Sequence, residues 1–123
     1  MHQLSHTEFT LLAALLVGLG WWLLLRGRNR PAPLTQQQVH ELRRKGALIL
    51  DVRSPGEFAQ GHVKGARNIP LGTLRDRLGD LDKDKPILAC CASGARSASA
   101  RSILLKAGFK EVHNVGPWTA LKP

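Results

Sequence analysis

Ile87-Leu88-Ala89-Cys90-Cys91-Ala92-Ser93-Gly94-Ala95-Arg96-Ser97 is the stretch on which the fold turns. An apolar run stops at a cysteine, small residues follow, and an arginine and a serine open a helical pattern. An apolar run this short, bounded by breakers, reads as a buried strand, and the segment after it as a helix. The loop between them can surround a thiol with backbone N–H groups beside the positive start of a helix, which favours the thiolate. Both cysteines of the chain are here. A bridge between neighbours would be a strained redox device, so the thiols read as reactive or buried. Cys90, one residue earlier on the strand, should point to the opposite face and be buried.

Outward from the loop, strands and helices alternate. Thr35-Gln36-Gln37-Gln38 fits a capping box, with Thr35 as N-cap, and its helix should run through Val39 and Leu42 to a stop at Gly46. Ala47-Leu48-Ile49-Leu50-Asp51-Val52 is another buried strand. Ser54-Pro55-Gly56-Glu57 is a second capping box, with proline at the first helical position, and opens one or two turns ending at Gly61. A short extended piece lies around Asn68-Ile69. Leucines at 71, 74, 78 and 81 have helical spacing. Ser97 to Ala107 reads as a helix with Ile103, Leu104 and Leu105 inward, and Glu111 to Val115 as a last strand. The alternation predicts an α/β domain with a small, mainly parallel sheet flanked by helices, and with catalytic groups at the C-terminal ends of the strands.

A different kind of segment precedes this domain. Phe9 to Leu25 carries no charge and has the length of a short bilayer span. Trp21 and Trp22 sit one turn before its end, and Arg26, Arg28 and Arg30 follow directly, against only His2, His6 and Glu8 on the near side. That asymmetry predicts a single-pass anchor in the inner (cytoplasmic) membrane with the C-terminal part in the cytoplasm. A cleaved signal would need a basic start and a small-residue cleavage site, and neither is present. The expected organisation is residues 1–28 as an N-terminal segment with a transmembrane helix at about 9–25, 29–34 as a Pro-containing linker, and 35–123 as the globular domain. Of the net charge of +9, three positive charges belong to the arginines behind the apolar run, and others lie near acids, as in Asp82-Lys83-Asp84-Lys85. With no tyrosine and no basic–aromatic stripe, nucleic acid is not expected as a partner; small anions and lipid headgroups explain the charge more simply.

Two motifs carry a resemblance. Asp51-Val52-Arg53-Ser54-Pro55-x-Glu57-Phe58-x-x-Gly61-His62-Val63-x-Gly65-Ala66-x-Asn68-Ile69-Pro70 resembles the front signature of rhodanese-like sulfurtransferase domains, and Cys91-x-x-Gly94-x-Arg96-Ser97 resembles their active-site loop. The likeness covers residues 35 to 118, and membrane-anchored single-domain members occur in bacteria. It implies a sulfurtransferase that moves a sulfane sulfur from a donor (thiosulfate, polysulfide or a protein persulfide) to a cyanide or thiol acceptor, a protein thiol included, without cofactor or metal. Cys91 would be the nucleophile and carry the sulfur as a persulfide. Backbone N–H groups of Ala92, Ser93, Gly94, Ala95, Arg96 and Ser97 should line the anion site. Arg96 would add positive charge for an anionic donor, or else hold the loop by hydrogen bonds. Gly94 lets the backbone turn without a Cβ clash. Asp51, Arg53, Glu57 and His62 read as structural support, with Glu57 the expected partner of Arg53. His2, His6, His40 and His113 read as surface or packing residues, and no His and Cys have metal-ligand spacing. Many members carry Gly-Gly and then a Trp near the end; here Asn114-Val115-Gly116-Pro117-Trp118 is compressed.

Two other readings stay open, the first of them raised by the double cysteine. Counted from Cys90, the loop is Cys-x5-Arg-Ser, which resembles the phosphate-binding loop of cysteine-dependent phosphatases. The front signature, and the place of Gly94 relative to Cys91, favour Cys91. A non-catalytic, membrane-tethered adaptor would not require Cys, Gly and Arg in this order.

Overall fold

The structure is a computed structural model and describes Gln3, residues 5–28 and residues 32–121. His2, Lys122 and Pro123 lie outside the described residues, as do Asn29, Arg30 and Pro31 of the expected linker. The chain divides into two compact units, Met1–Ala32 and Pro33–Pro123.

The first unit is a helix, α1 (His6–Arg28). Ser5 caps it: its backbone N–H donates to Glu8 Oε2 at 2.9 Å and its Oγ accepts from the Glu8 N–H at 3.4 Å. Its leucines, Val17 and both tryptophans are exposed, and the Arg26 guanidinium lies 4.6 Å from the Trp22 ring. Among the described residues His6–Arg26 is the one segment long and apolar enough to cross a membrane.

The second unit contains α2 (Gln36–Arg44), β1 (Leu48–Asp51), α3 (Pro55–Gln60), β2 (Arg67–Asn68), β3 (Ile87–Cys91), α4 (Ala95–Lys106) and β4 (Val112–Pro117), with 3-10 turns at Leu71–Asp80 and Trp118–Leu121. The strands form one sheet, all pairs parallel, in the order β2-β1-β3-β4. Parallel strands need crossovers, and these carry helices over both faces, so the central strands are apolar on both sides.

Alternation along the strands sorts the core into two clusters. Leu50, Val52, Ile87 and Cys91 belong to one, with Leu74 and, from α4, Ala100 and Leu104. Ile49, Leu88 and Cys90 belong to the other, with Val39 of α2 and Leu121. The two neighbouring cysteines therefore face opposite sides of the sheet.

Both capping boxes form. Thr35 Oγ1 accepts from the Gln38 N–H at 3.2 Å, and Ser54 Oγ from the Glu57 N–H at 3.2 Å, each with the reciprocal bond. Several elements differ from the sequence reading in winding, facing or bounds, β1 among them, which runs Leu48–Asp51 rather than Ala47–Val52. Leu71–Asp80 winds in 3-10 turns, because a spacing of three serves that geometry as well as an α-helix and Gly72 and Gly79 weaken the latter. α4 starts at Ala95 rather than Ser97, and Leu105, expected inward, is exposed on its outer side. The last strand starts at Val112 and reaches Pro117, with a register shift opposite Ala89 to Cys91.

Candidate active site

β3 delivers Cys91 to the C-terminal edge of the sheet, and the chain turns at once into α4. Gly94 makes that turn at φ +101°, a conformation that a side chain resists. A Cβ there would also come within 3.3 Å of Gly116 Cα, so β4 packs directly against the loop.

The loop encloses the Cys91 sulfur, and the residue is 0 % exposed. The Gly94 N–H donates to Sγ at 3.0 Å, and the Ser97 hydroxyl lies 3.4 Å from it. Burial pushes the Cys91 thiol up. The Ser97 hydroxyl and the N–H groups of Ser97, Gly94 and Ser93 outweigh it and bring the thiol down to about 7. The sulfur is therefore more ionised at neutral pH than an ordinary thiol. Of the six N–H groups expected to line the site, those of Ser93, Gly94 and Ser97 act on the sulfur, whereas that of Ala95 lies 3.4 Å from Ser93 Oγ.

Cys90 is the chemical opposite of its neighbour. It too is 0 % exposed, and burial, with Asp51 adding to it, pushes its thiol up to about 12. A buried thiol held neutral is a poor nucleophile, and Cys90 packs with Val39 and Leu88 on the face of the sheet away from Cys91, so the structure lends no support to a phosphatase loop counted from Cys90.

Arg53 and Asp51 form a buried pair. Arg53 Nη2 is 2.8 Å from Asp51 Oδ2 and Nε is 3.0 Å from Oδ1, and the Arg53 backbone N–H donates to Oδ1 at 3.0 Å. The guanidinium also donates to the carbonyls of Gly61 at 2.7 Å and Glu57 at 3.3 Å, and lies 4.5 Å from the Trp118 ring. Arg53 thus ties β1 to the middle of α3 and to its C-terminal cap.

The expected Arg53–Glu57 side-chain pair does not form. Glu57 takes Arg96 instead, in a bidentate contact of 2.6 and 2.9 Å. Arg96 holds the Glu57 carboxyl down at about 2, with the Ser54 N–H and hydroxyl adding to it. Asp51, fixed by its own strand, takes the arginine two residues on, while the first turn of α4 carries Arg96 to Glu57. His62 donates its Nδ1–H to the Phe58 carbonyl at 2.8 Å and stacks on the Phe58 ring at 3.7 Å. It serves the end of α3.

Asn114 is a site residue that the sequence reading missed. Its Nδ2 donates to the Gly94 carbonyl at 3.0 Å, while its Oδ1 accepts from the Gly116 N–H at 3.0 Å and from the Ser97 hydroxyl at 2.7 Å. The compressed Asn114–Trp118 segment was the available signal, because a strand rerouted there has to meet the loop. A cavity of about 420 Å³ opens beside this junction, between Ser93, Gly94 and Asn114 on one side and Leu34, Val39 and Leu121 on the other.

Comparison with known proteins agrees with this arrangement. Residues 35–119 match the Rhodanese-like domain family. The chain is 38% identical over 79 residues to Thiosulfate sulfurtransferase GlpE of Stutzerimonas stutzeri (strain A1501), covering 64% of this chain and 72% of that protein. It is 43% identical over 82 residues to the uncharacterized protein YqhL of Bacillus subtilis (strain 168), covering 67% of this chain and 64% of that protein. Among solved structures, a rhodanese with anions from E. coli superposes with a TM-score of 0.60 at 33% identity, over 63% of this chain and 95% of that one.

Proposed function

The chain belongs to the rhodanese-like domain family, and from that premise we propose that it is a membrane-anchored sulfurtransferase that carries sulfane sulfur on Cys91. The observation that supports this most is the Cys91 thiol, held down to about 7 beneath a loop of N–H donors while its neighbour is pushed up to about 12.

The Cys91 thiolate attacks the sulfane sulfur of a donor. With thiosulfate, the new S–S bond forms as the S–S bond of the donor breaks, sulfite leaves, and Cys91 holds a persulfide anion. The N–H groups that favour the thiolate also favour this persulfide, which bears its charge in the same cradle. In the second half, an acceptor thiolate or cyanide attacks the outer sulfur, that S–S bond breaks, and the Cys91 thiolate returns. Because Cys91 is 0 % exposed, the loop has to open for either partner to reach Sγ. Ser97 supplies the hydroxyl hydrogen bond, Gly94 the turn and a short N–H contact, and Arg96 ties the loop to α3.

α1 supports the rest of the reading. Its uncharged stretch, exposed leucines and trailing arginines suit a single bilayer span with the sulfurtransferase unit in the cytoplasm. The test is intact-mass analysis of the full chain in detergent after exposure to thiosulfate or an organic hydropersulfide. One added sulfur, lost in Cys91→Ser and kept in Cys90→Ser, is expected; no uptake from either donor overturns the reading.

A further inference from the structure

One groove of the globular unit holds two cations without a counter-charge. Elsewhere several basic side chains find acids: Arg67 and Arg77 take Asp80, Arg96 takes Glu57 and Lys110 takes Asp84. Arg75 and Lys106 do not. Both line a groove of about 470 Å³ between the 3-10 turns and α4, and among the described residues neither side chain makes a hydrogen bond or an ion pair. No carboxylate lines this groove; its walls include Ser99 and Ser102 of α4 and the half-buried Leu71 and Ile103.

The groove lies on the thiol's side of the sheet. Leu71 and Ile103 pack against the cluster that contains Cys91, and the Leu71 N–H donates to the Val52 carbonyl at 3.1 Å, just past the end of β1. α4 also carries Ser97, whose hydroxyl is 3.4 Å from Cys91 Sγ. At a rise of about 1.5 Å per residue, Ser99 lies about 3 Å and Lys106 about 13 Å beyond Ser97 along the helix axis. An extended chain covers about 3.3 Å per residue, so a cysteine presented at the opened loop sets residues about four positions away over the two cations. Unmatched cations beside apolar walls favour acidic side chains carried on a polypeptide. A planar lipid surface does not enter a groove, and a bare anion leaves Leu71 and Ile103 uncovered.

Resting on the sulfur-carrier reading above, we infer that this groove docks an acidic segment of a protein acceptor, whose carboxylates lie about four residues from the cysteine that takes the sulfur. Arg75 and Lys106 meet the carboxylates, and Ser99 and Ser102 offer hydroxyls to the backbone between them. The transfer balances: the acceptor thiolate attacks the outer sulfur of the Cys91 persulfide anion, and the S–S bond to Cys91 breaks. The Cys91 thiolate returns, and the acceptor leaves as a hydropersulfide anion.

The probe is a synthetic peptide with one cysteine and a pair of glutamates about four residues away on either side, compared with the same peptide carrying glutamines. The full chain in detergent is loaded with sulfur from thiosulfate or an organic hydropersulfide, and the peptide hydropersulfide is followed by mass. At low salt the wild type should favour the glutamate peptide about fivefold in kcat/KM, and salt should erase the preference. Arg75→Gln combined with Lys106→Gln should bring the preference below about twofold while transfer to cyanide keeps its wild-type rate. No preference in the wild type, transfer to cyanide alone, or a preference that survives in the double variant overturns the groove as the docking site. A preference erased by short-chain phosphatidylglycerol at constant ionic strength assigns the groove to a lipid headgroup and overturns the protein partner. Transfer to neither the peptides nor cyanide overturns the sulfur-carrier reading itself, and the inference with it.

Discussion

The Ser97 hydroxyl stands 2.7 Å from Asn114 Oδ1 and 3.4 Å from Cys91 Sγ. It has one hydrogen, and the Gly94 carbonyl at 3.1 Å is a third acceptor. Asn114 Oδ1 and the sulfur therefore compete for it, and ionisation of the thiol decides the contest, because a charged acceptor makes the stronger bond. Ser97→Ala removes the largest of the interactions that lower the Cys91 thiol. The pH midpoint of Cys91 alkylation by iodoacetamide, read by mass, should move up by about one pH unit from its wild-type value near neutrality. An unmoved midpoint would contradict the role given to the hydroxyl.

Asn114→Asp tests the other side of the contest. A carboxylate cannot donate to the Gly94 carbonyl and places negative charge beside the sulfur. The alkylation midpoint should rise here too, and transfer activity at pH 7 should fall by about tenfold as thiolate is lost. Asn114→Ala, which adds no charge, should shift the midpoint less.

Gly94→Ala places a side chain where φ is +101° and where Gly116 Cα is 3.3 Å away. Backbone strain of this kind costs about 1–3 kcal/mol. Urea unfolding should show that loss, and because the strain sits at the loop, persulfide formation should fall further than the loss of folded protein explains. Gly65→Ala, also at positive φ but with nothing within 4 Å, is the comparison and should leave persulfide formation far less affected.

Arg53→Met leaves the Asp51 carboxylate buried without its cation, and such a break costs about 3–5 kcal/mol. The full chain should unfold at clearly lower urea, and adding Asp51→Leu should recover part of the difference. If the single variant is as stable as the wild type, the pair does not brace β1 against α3.

The proposed orientation of the anchor is read by fusing a fluorescent protein that matures only in the cytoplasm to the C-terminus. The fusion should fluoresce in membrane fractions. Replacing Arg26, Arg28 and Arg30 with glutamine should lower that signal, since these arginines set the asymmetry. Fluorescence in the soluble fraction of an intact, unprocessed chain would rule out an anchor.

The residues that could be read from sequence are those whose geometry is local. Thr35 and Ser54 announce their helices because a capping box is complete within four residues. Cys90 and Cys91 separate to opposite faces because strand alternation allows nothing else. The partner of Glu57 was not legible: Arg53 is four residues away and Arg96 thirty-nine, and the choice depended on Asp51 binding the nearer one. The compressed Asn114–Trp118 segment hinted at a change there, but the role of Asn114 exists only where β4 passes the loop. The 3-10 winding of Leu71–Asp80 was hidden because leucines at these intervals suit two helix geometries.

The opposed cores behind Cys90 and Cys91 have an evolutionary consequence. Deleting one residue from β3 upstream of the pair would exchange their faces while leaving nearly the whole composition of the chain intact. The sulfur tuned for chemistry would be turned into the other core, and the inert one would face the loop's side of the sheet from a position short of the loop. Point substitutions can erode such a site by degrees, but a frame-preserving deletion in this strand abolishes it at once, although both thiols remain.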